Sequence, residues 1–200
     1  MLRVFLFIAV ISSVNAAFSQ TEWELTKEKN GIKVFASKES SSNFRSIKVE
    51  AVLTGTLQKL LTVITDVNNA KNWVFSTKES YLIKKINPNE ILYYTETSLP
   101  WPVSNRDVPI RMRIDADGAT NSLKITAAGE PNAVAAKKGI VRIQTFASSW
   151  NVRSDGKNRL YITYFLKMDP GGSIPASITN MFISKGPYET FYNLSNMLKL

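Results

Sequence analysis

The stretch "ILYYTETSLPWPVSNRDVPIRMRI", Ile91 to Ile114, decides the fold. Its two ends read as β-strand. "ILYYTET" is rich in β-branched and aromatic residues, and "VPIRMRID" sets Val108, Ile110, Met112 and Ile114 against Arg111 and Arg113. Between them lies "LPWPVSNRD", Leu99 to Asp107, with two prolines around Trp101 and adjacent opposite charges at Arg106 and Asp107. A strand does not accommodate that composition, so two neighbouring strands are joined by a stiff, proline-fixed loop.

The same alternation recurs on both sides. "YLIKKI" and "ILYYTET" flank the turn "NPNE" as a hairpin. "DADG" leads into "SLKITAA", a loop through Pro131 into "GIVRIQTFASSWNV", and "SDGKN" into "RLYITYFLKMD". Upstream, "GIKVFASKE" and "FRSIKVEAVLTG" alternate as two antiparallel strands around a Ser-rich turn at Ser40 to Asn43. "EWELTKEKN" reads as one or two helical turns anchored by Trp23.

Two segments have the helical period. Leu57, Leu60, Leu61, Ile64 and Val67 form one stripe, with Thr54 or Thr56 as N-cap and an end near Asn68 or Asn69. From Ile174 onward, Ile174, Ile178, Met181 and Phe182 share a face that Tyr188, Phe191, Leu194 and Leu198 continue. Gly186-Pro187 interrupts this long helix and predicts a kink or break there. The order is two strands, a helix, about six strands and a long terminal helix. It specifies an α+β domain in which a bent antiparallel sheet wraps the terminal helix and can enclose a cavity.

Composition narrows the chemistry. The 200 residues contain no cysteine and no histidine, which removes Ser-His and Cys-His catalysis and zinc sites built on those ligands. No cofactor or metal is expected. The net charge of +9 favours anionic partners. The basic residues are scattered rather than gathered into a stripe with interleaved aromatics, so nucleic acid is not expected. Lys84, Lys85, Lys137, Lys138 and Lys185 are candidates for transient contact with an anionic membrane surface. The N-terminus has Arg3, the apolar run Val4 to Ile11, and small residues suited to cleavage between Ala16 and Ser19. Residues 1–19 thus read as a signal peptide and 20–200 as the exported domain, periplasmic or extracellular.

At "PWPVSNRD" the chain resembles the START domain, the steroidogenic-acute-regulatory-related lipid-transfer family, in an exported bacterial form. "LLTVITDVNNAKNW", "KGIVRIQTFASSW" and "LYITYFLKMDPGGSIPASITNMFISKGPYETFYNL" resemble further family segments in the same order. The resemblance implies a helix-grip fold with an internal hydrophobic tunnel for one lipid or other apolar molecule, acting as a monomer without catalysis. The Leu99–Asp107 loop and the terminal helix would gate the tunnel. Trp101 would cover its mouth, and Arg106 would fix the next strand and face a ligand headgroup. Tyr93 and Met112 match positions where some sterol-binding members carry a buried acid–Arg pair, so that pair would be absent here. Tyr164, Met168, Ile178 and Phe182 complete the expected ligand-binding set. The alternative is a cyclase or aromatase of the wider helix-grip superfamily, which would require acid–base groups inside the tunnel.

Overall fold

The computed structural model describes residues 22–37 and 45–199. The expected signal segment and the Ser40–Asn43 turn lie outside the described residues. Ten strands form one sheet: β1 (Trp23–Lys29), β2 (Ile32–Ser37), β3 (Arg45–Thr54), β4 (Thr77–Asn87), β5 (Glu90–Thr97), β6 (Arg106–Asp117), β7 (Ser122–Gly129), β8 (Val141–Arg142), β9 (Thr145–Ser154) and β10 (Arg159–Asp169). The order across the sheet is β1-β2-β3-β10-β9-β7-β6-β5-β4. All these pairings are antiparallel, and the two-residue β8 runs parallel to the start of β6.

Trp23 opens a strand rather than a helix. Its segment pairs with β2 from Trp23↔Ser37 to Lys29↔Ile32, with an irregularity between Leu25 and Lys27. The Trp23 ring packs against Phe165 with centroids 6.1 Å apart, and Lys48 Nζ sits 5.6 Å from its centroid. Those partners belong to β10 and β3, so only the assembled sheet makes this segment extended.

Helix α1 (Leu57–Thr65) starts where Thr56 accepts a hydrogen bond from Lys59 N at 3.1 Å. It ends earlier than the stripe predicts. Asp66 leaves helical geometry, and Val67–Asn72 continues as a 3-10 turn that still buries Val67 and Ala70. This turn covers the edge strand β4, where Asn68 Oδ1 accepts the Leu82 amide at 3.0 Å.

The terminal helix does not break at Gly186-Pro187. Helix α2 (Ala176–Asn180) passes into a π-helical turn (Met181–Lys185) and then into α3 (Gly186–Met197). Gly186-Pro187 follows directly on the π turn at the start of α3, in a run that stays helical on both sides of it. The wider π turn lets the Gly186 amide reach back to Met181 O.

Packing along this helix is uneven. Tyr188, Phe191, Leu194 and Leu198 are buried in the main core with Leu60, Val63 and Ile64 of α1 and Ile32, Val34 and Val49 of β2 and β3. No residue of α2 is buried, and only Ile183 is buried in the π turn. One half of the helix seals a solid core, and the other spans open space above the sheet.

Strand alternation separates Arg106 from Asp107, placing them on opposite sheet faces. Asp107, 1% exposed, takes a bidentate contact from Arg142 on β8, at 2.7 and 3.0 Å, and a bond from the Tyr94 hydroxyl at 3.0 Å. Arg142 also donates to the carbonyls of Pro131, Val134 and Ala135, fastening the 131–140 loop. Replacing Arg142 with Met should therefore leave a buried carboxylate short of its cation and cost about 3 kcal/mol in urea unfolding. Lys33→Ala, which breaks an exposed pair with Glu28, should cost under about 1 kcal/mol.

Candidate ligand-binding cavity

Beneath the loosely packed half of the terminal helix lies a cavity of about 310 Å³. Its floor is the concave face of the sheet, with Tyr93, Met112, Ile125 and Tyr164 among its residues. Its roof is the helix, through Ile174, Thr179, Phe182 and Ile183. The Trp73–Thr77 segment and Leu99 complete the wall.

The floor follows from the pleat. In β5, Tyr93, Thr95 and Thr97 face the cavity, while Tyr94 and Glu96 face away. On the far side Glu96 is held by Lys78 at 2.9 Å and Asn105 at 2.7 Å, and Lys137 lies 4.2 Å from the Tyr94 ring centroid. The carboxylates of this region thus stay off the cavity side. Among the described residues that line the cavity there is no Asp, Glu or Lys, and Arg106 is the one charged side chain.

The structure brings six of the eight expected residues to the cavity: Tyr93, Arg106, Met112, Tyr164, Met168 and Phe182. Tyr93 and Met112 are diagonal rather than opposite. Ile110 faces Tyr93 and Ile91 faces Met112, one step along each strand. Neither carries a charge, so no acid–Arg pair crosses the cavity there. Phe182 packs edge-on against Phe75 at 5.6 Å.

Two expected residues lie elsewhere. Trp101 does not cover the mouth, because its side chain is 92% exposed. The loop is a tight turn, with the Val103 amide on Pro100 O at 3.0 Å and the Leu99 amide on Asn105 Oδ1 at 3.2 Å. That turn puts Trp101 at its outer corner, and Leu99 reaches the cavity instead. Ile178 is half-buried in α2 but does not line the cavity, whereas Thr179 does. The π turn resets the face that a uniform 3.6-residue period assigns.

Sequence reading missed Trp73, Phe75, Thr77, Trp150 and Phe191 as cavity residues. The first three follow a helix on a segment with no clean period. Trp150 and Phe191 stack with centroids 5.1 Å apart and close the cavity toward the solid core.

Arg106 is 4% exposed and is tied to backbone carbonyls. Its Nη1 donates to Ser104 at 2.6 Å, Nε to Pro170 at 3.1 Å and Nη2 to Gly171 at 2.8 Å. It therefore anchors the reversal between β10 and the terminal helix. Burial lowers its pKa.

Burial pushes the Tyr93 phenol well above its ordinary range and the Tyr164 phenol up to about 12, an effect the Ser148 hydroxyl opposes at Tyr164. Both groups keep their protons in the folded chain at pH values where an unfolded tyrosine, near 10, releases them. The folded state then binds more protons, so stability falls as pH rises from 10 through 12. Urea midpoints should hold between pH 7 and 9 and drop above 10, and Tyr164→Phe should make that drop shallower.

The chain that forms this cavity is similar to known proteins in sequence and fold. An uncharacterized protein of Pseudomonas aeruginosa is 26% identical over 196 residues, 96% of this chain and 95% of that one. The phosphatidylcholine transfer protein of Mus musculus is 32% identical over 176 residues, 85% of this chain and 80% of that one. The crystal structure of a STAR-related lipid transfer protein fragment from Xanthomonas axonopodis superposes with a TM-score of 0.79 at 29% identity, covering 89% of this chain and 99% of that one. The START domain model matches residues 9–198, and with the helix-gripping sheet in place the chain belongs to the START domain family.

Proposed function

We propose that this protein binds one lipid or similar hydrophobic molecule in the cavity and carries it, without catalysis, through an aqueous compartment outside the cytoplasm. The observation that carries the reading is the apolar space between the sheet and the helix, where Arg106 is the one charged side chain among the described lining residues. Transfer of a chain into such a space gains about 0.8 kcal/mol per buried methylene before ordering costs. The relatives named for lipid transfer support the same cargo class. A cyclase would need a proton donor and acceptor placed around the substrate. The described lining residues include no carboxylate or lysine, and burial holds the Tyr93 and Tyr164 phenols in their protonated form. The proton acceptor such a reaction needs thus has no candidate carboxylate there, which supports a carrier without catalysis.

Export is supported by the residues of the N-terminus, with Arg3, the apolar Val4–Ile11 run and, between Ala16 and Ser19, small residues suited to cleavage. The protein acts as a monomer and touches anionic membranes transiently. Trp101 supports that contact, standing exposed at a turn whose neighbour Leu99 lines the cavity. Lys84, Lys85, Lys138 and Lys185 are exposed and add positive charge, whereas Lys137 is engaged by Glu79 at 2.7 Å.

The deciding experiment measures movement of a fluorescent phospholipid from donor to acceptor vesicles. The purified protein should accelerate it well above the spontaneous rate. Ala127→Phe, which pushes a ring into the cavity, should lower the rate at least tenfold while circular dichroism stays unchanged. Absence of acceleration, together with no co-purified lipid by native mass spectrometry, would overturn the reading. A separate flotation assay tests the membrane contact. Trp101→Ala should weaken binding to phosphatidylglycerol-containing vesicles roughly tenfold, from loss of about 1.5 kcal/mol of interfacial burial, without changing thermal stability.

A further inference from the structure

Three buried side-chain polar atoms lack a hydrogen-bond partner among the described residues: Trp73 Nε1, Thr77 Oγ1 and Ser80 Oγ. Each such atom is costly, and native proteins keep few of them without a reason. Trp73 and Thr77 both line the cavity; Ser80 does not.

Thr77 is not isolated. It pairs with Thr97 across β4 and β5, and Thr97 pairs with Arg106 across β5 and β6. Directly opposite residues on neighbouring strands share a face. Thr77, Thr97 and Arg106 therefore form one row across the sheet, and all three line the cavity. Arg106 has no carboxylate partner among the described residues; its three bonds go to neutral carbonyls. A guanidinium carries five N–H groups, so its donor capacity exceeds those three bonds. Its sequence neighbour Asp107 is on the other face and belongs to Arg142. In a largely apolar cavity, a buried cation with no counter-charge among the described residues thus stands in one row with a hydroxyl that has no partner among them. Trp73, four residues before Thr77 in the chain, adds an indole N–H that can only donate.

Resting on the carrier reading, we propose that the cargo is an amphiphile bearing an oxyanion, a phosphate diester or a carboxylate. The oxyanion sits against the Thr77–Thr97–Arg106 row, and the apolar chain fills the rest of the cavity. An oxyanion accepts from a hydroxyl and a guanidinium together and supplies the missing negative charge. Trp73 Nε1 donates to another oxygen of the same head region.

The test offers the purified protein equal amounts of phosphatidylcholine, oleate and diacylglycerol in vesicles and reads occupancy by native mass spectrometry. Phosphatidylcholine or oleate should exceed diacylglycerol at least tenfold, and which of the two prevails distinguishes a phosphate from a carboxylate head. Thr77→Val removes a hydroxyl that no protein group uses, so its melting temperature should match that of the parent. Its occupancy by the preferred oxyanion should fall about tenfold, with diacylglycerol unaffected. Trp73→Phe should lower the same occupancy while keeping the ring. Arg106→Gln also releases the Pro170-Gly171 reversal, so Thr77→Val is the deciding variant. Uptake of diacylglycerol on a par with both oxyanion lipids, or a Thr77→Val variant with unchanged preference, would overturn the oxyanion site and leave the carrier standing. Failure to take up any of the three would overturn both.

Discussion

Burial of the terminal helix against the concave sheet is the constraint on which the rest of the structure depends. The helix has one apolar face, and α1 with β2 and β3 fills the space beneath its last three turns. Tyr188, Phe191, Leu194 and Leu198 are buried there at close-packed contacts. The sheet is wider than that contact. N-terminal to Tyr188 the helix presents Thr179, Phe182 and Ile183 to a space lined from below by residues of β5, β6, β9 and β10, and that space is the cavity. The solid and hollow ends have one cause: the buried side chains of the terminal helix are confined to Ile183 and the residues after it, while α2 buries none.

The same arrangement sorts the charges. Each strand passing the cavity shows it every second side chain, so Tyr93, Thr95 and Thr97 face inward while Tyr94 and Glu96 face out. The outward set is assembled with Asp107, Arg142, Lys78 and Asn105 into bonded pairs that hold the 131–140 loop and the Leu99–Asp107 turn. Burying those carboxylates is tolerable because each meets a cation or a donor. The inward set has hydroxyls and aromatic rings, and among the described lining residues Arg106 is the one ionised group.

Mobility is expected where burial is thin. Helix α2 has no buried residue, and its N-cap, Pro175, makes no side-chain capping bond. Local opening costs least where few apolar contacts are lost. The roof over the cavity is therefore the weakest-held part of the helix. Its lower boundary is firm: Gly186 lies so close to Phe75 that an added Cβ would meet the ring at 3.1 Å, and the Thr190 hydroxyl accepts the Phe75 amide at 3.0 Å. Access to the cavity by movement of α2 and the π turn would leave α3 seated in the core.

The strand alternation, the two helical stripes, the proline-fixed loop and the ordered segments around "PWPVSNRD" were legible in the sequence because each depends on local period or turn chemistry. They were enough for the helix-grip architecture and for six cavity residues, since strand parity and helix stripe decide which side chains face inward. Local signals could not place Trp23, whose extended conformation exists only through its pairing with β2 and its packing on Phe165 and Lys48. They could not place Trp101 at an outer corner, because that depends on Asn105 bonding back to Leu99 and Glu96. Nor could they move the cavity face from Ile178 to Thr179, which requires the π turn. The alignment of Thr77, Thr97 and Arg106 belongs wholly to the tertiary structure: register between strands, rather than anything within one of them, sets Thr97 between Thr77 on β4 and Arg106 on β6 in one row.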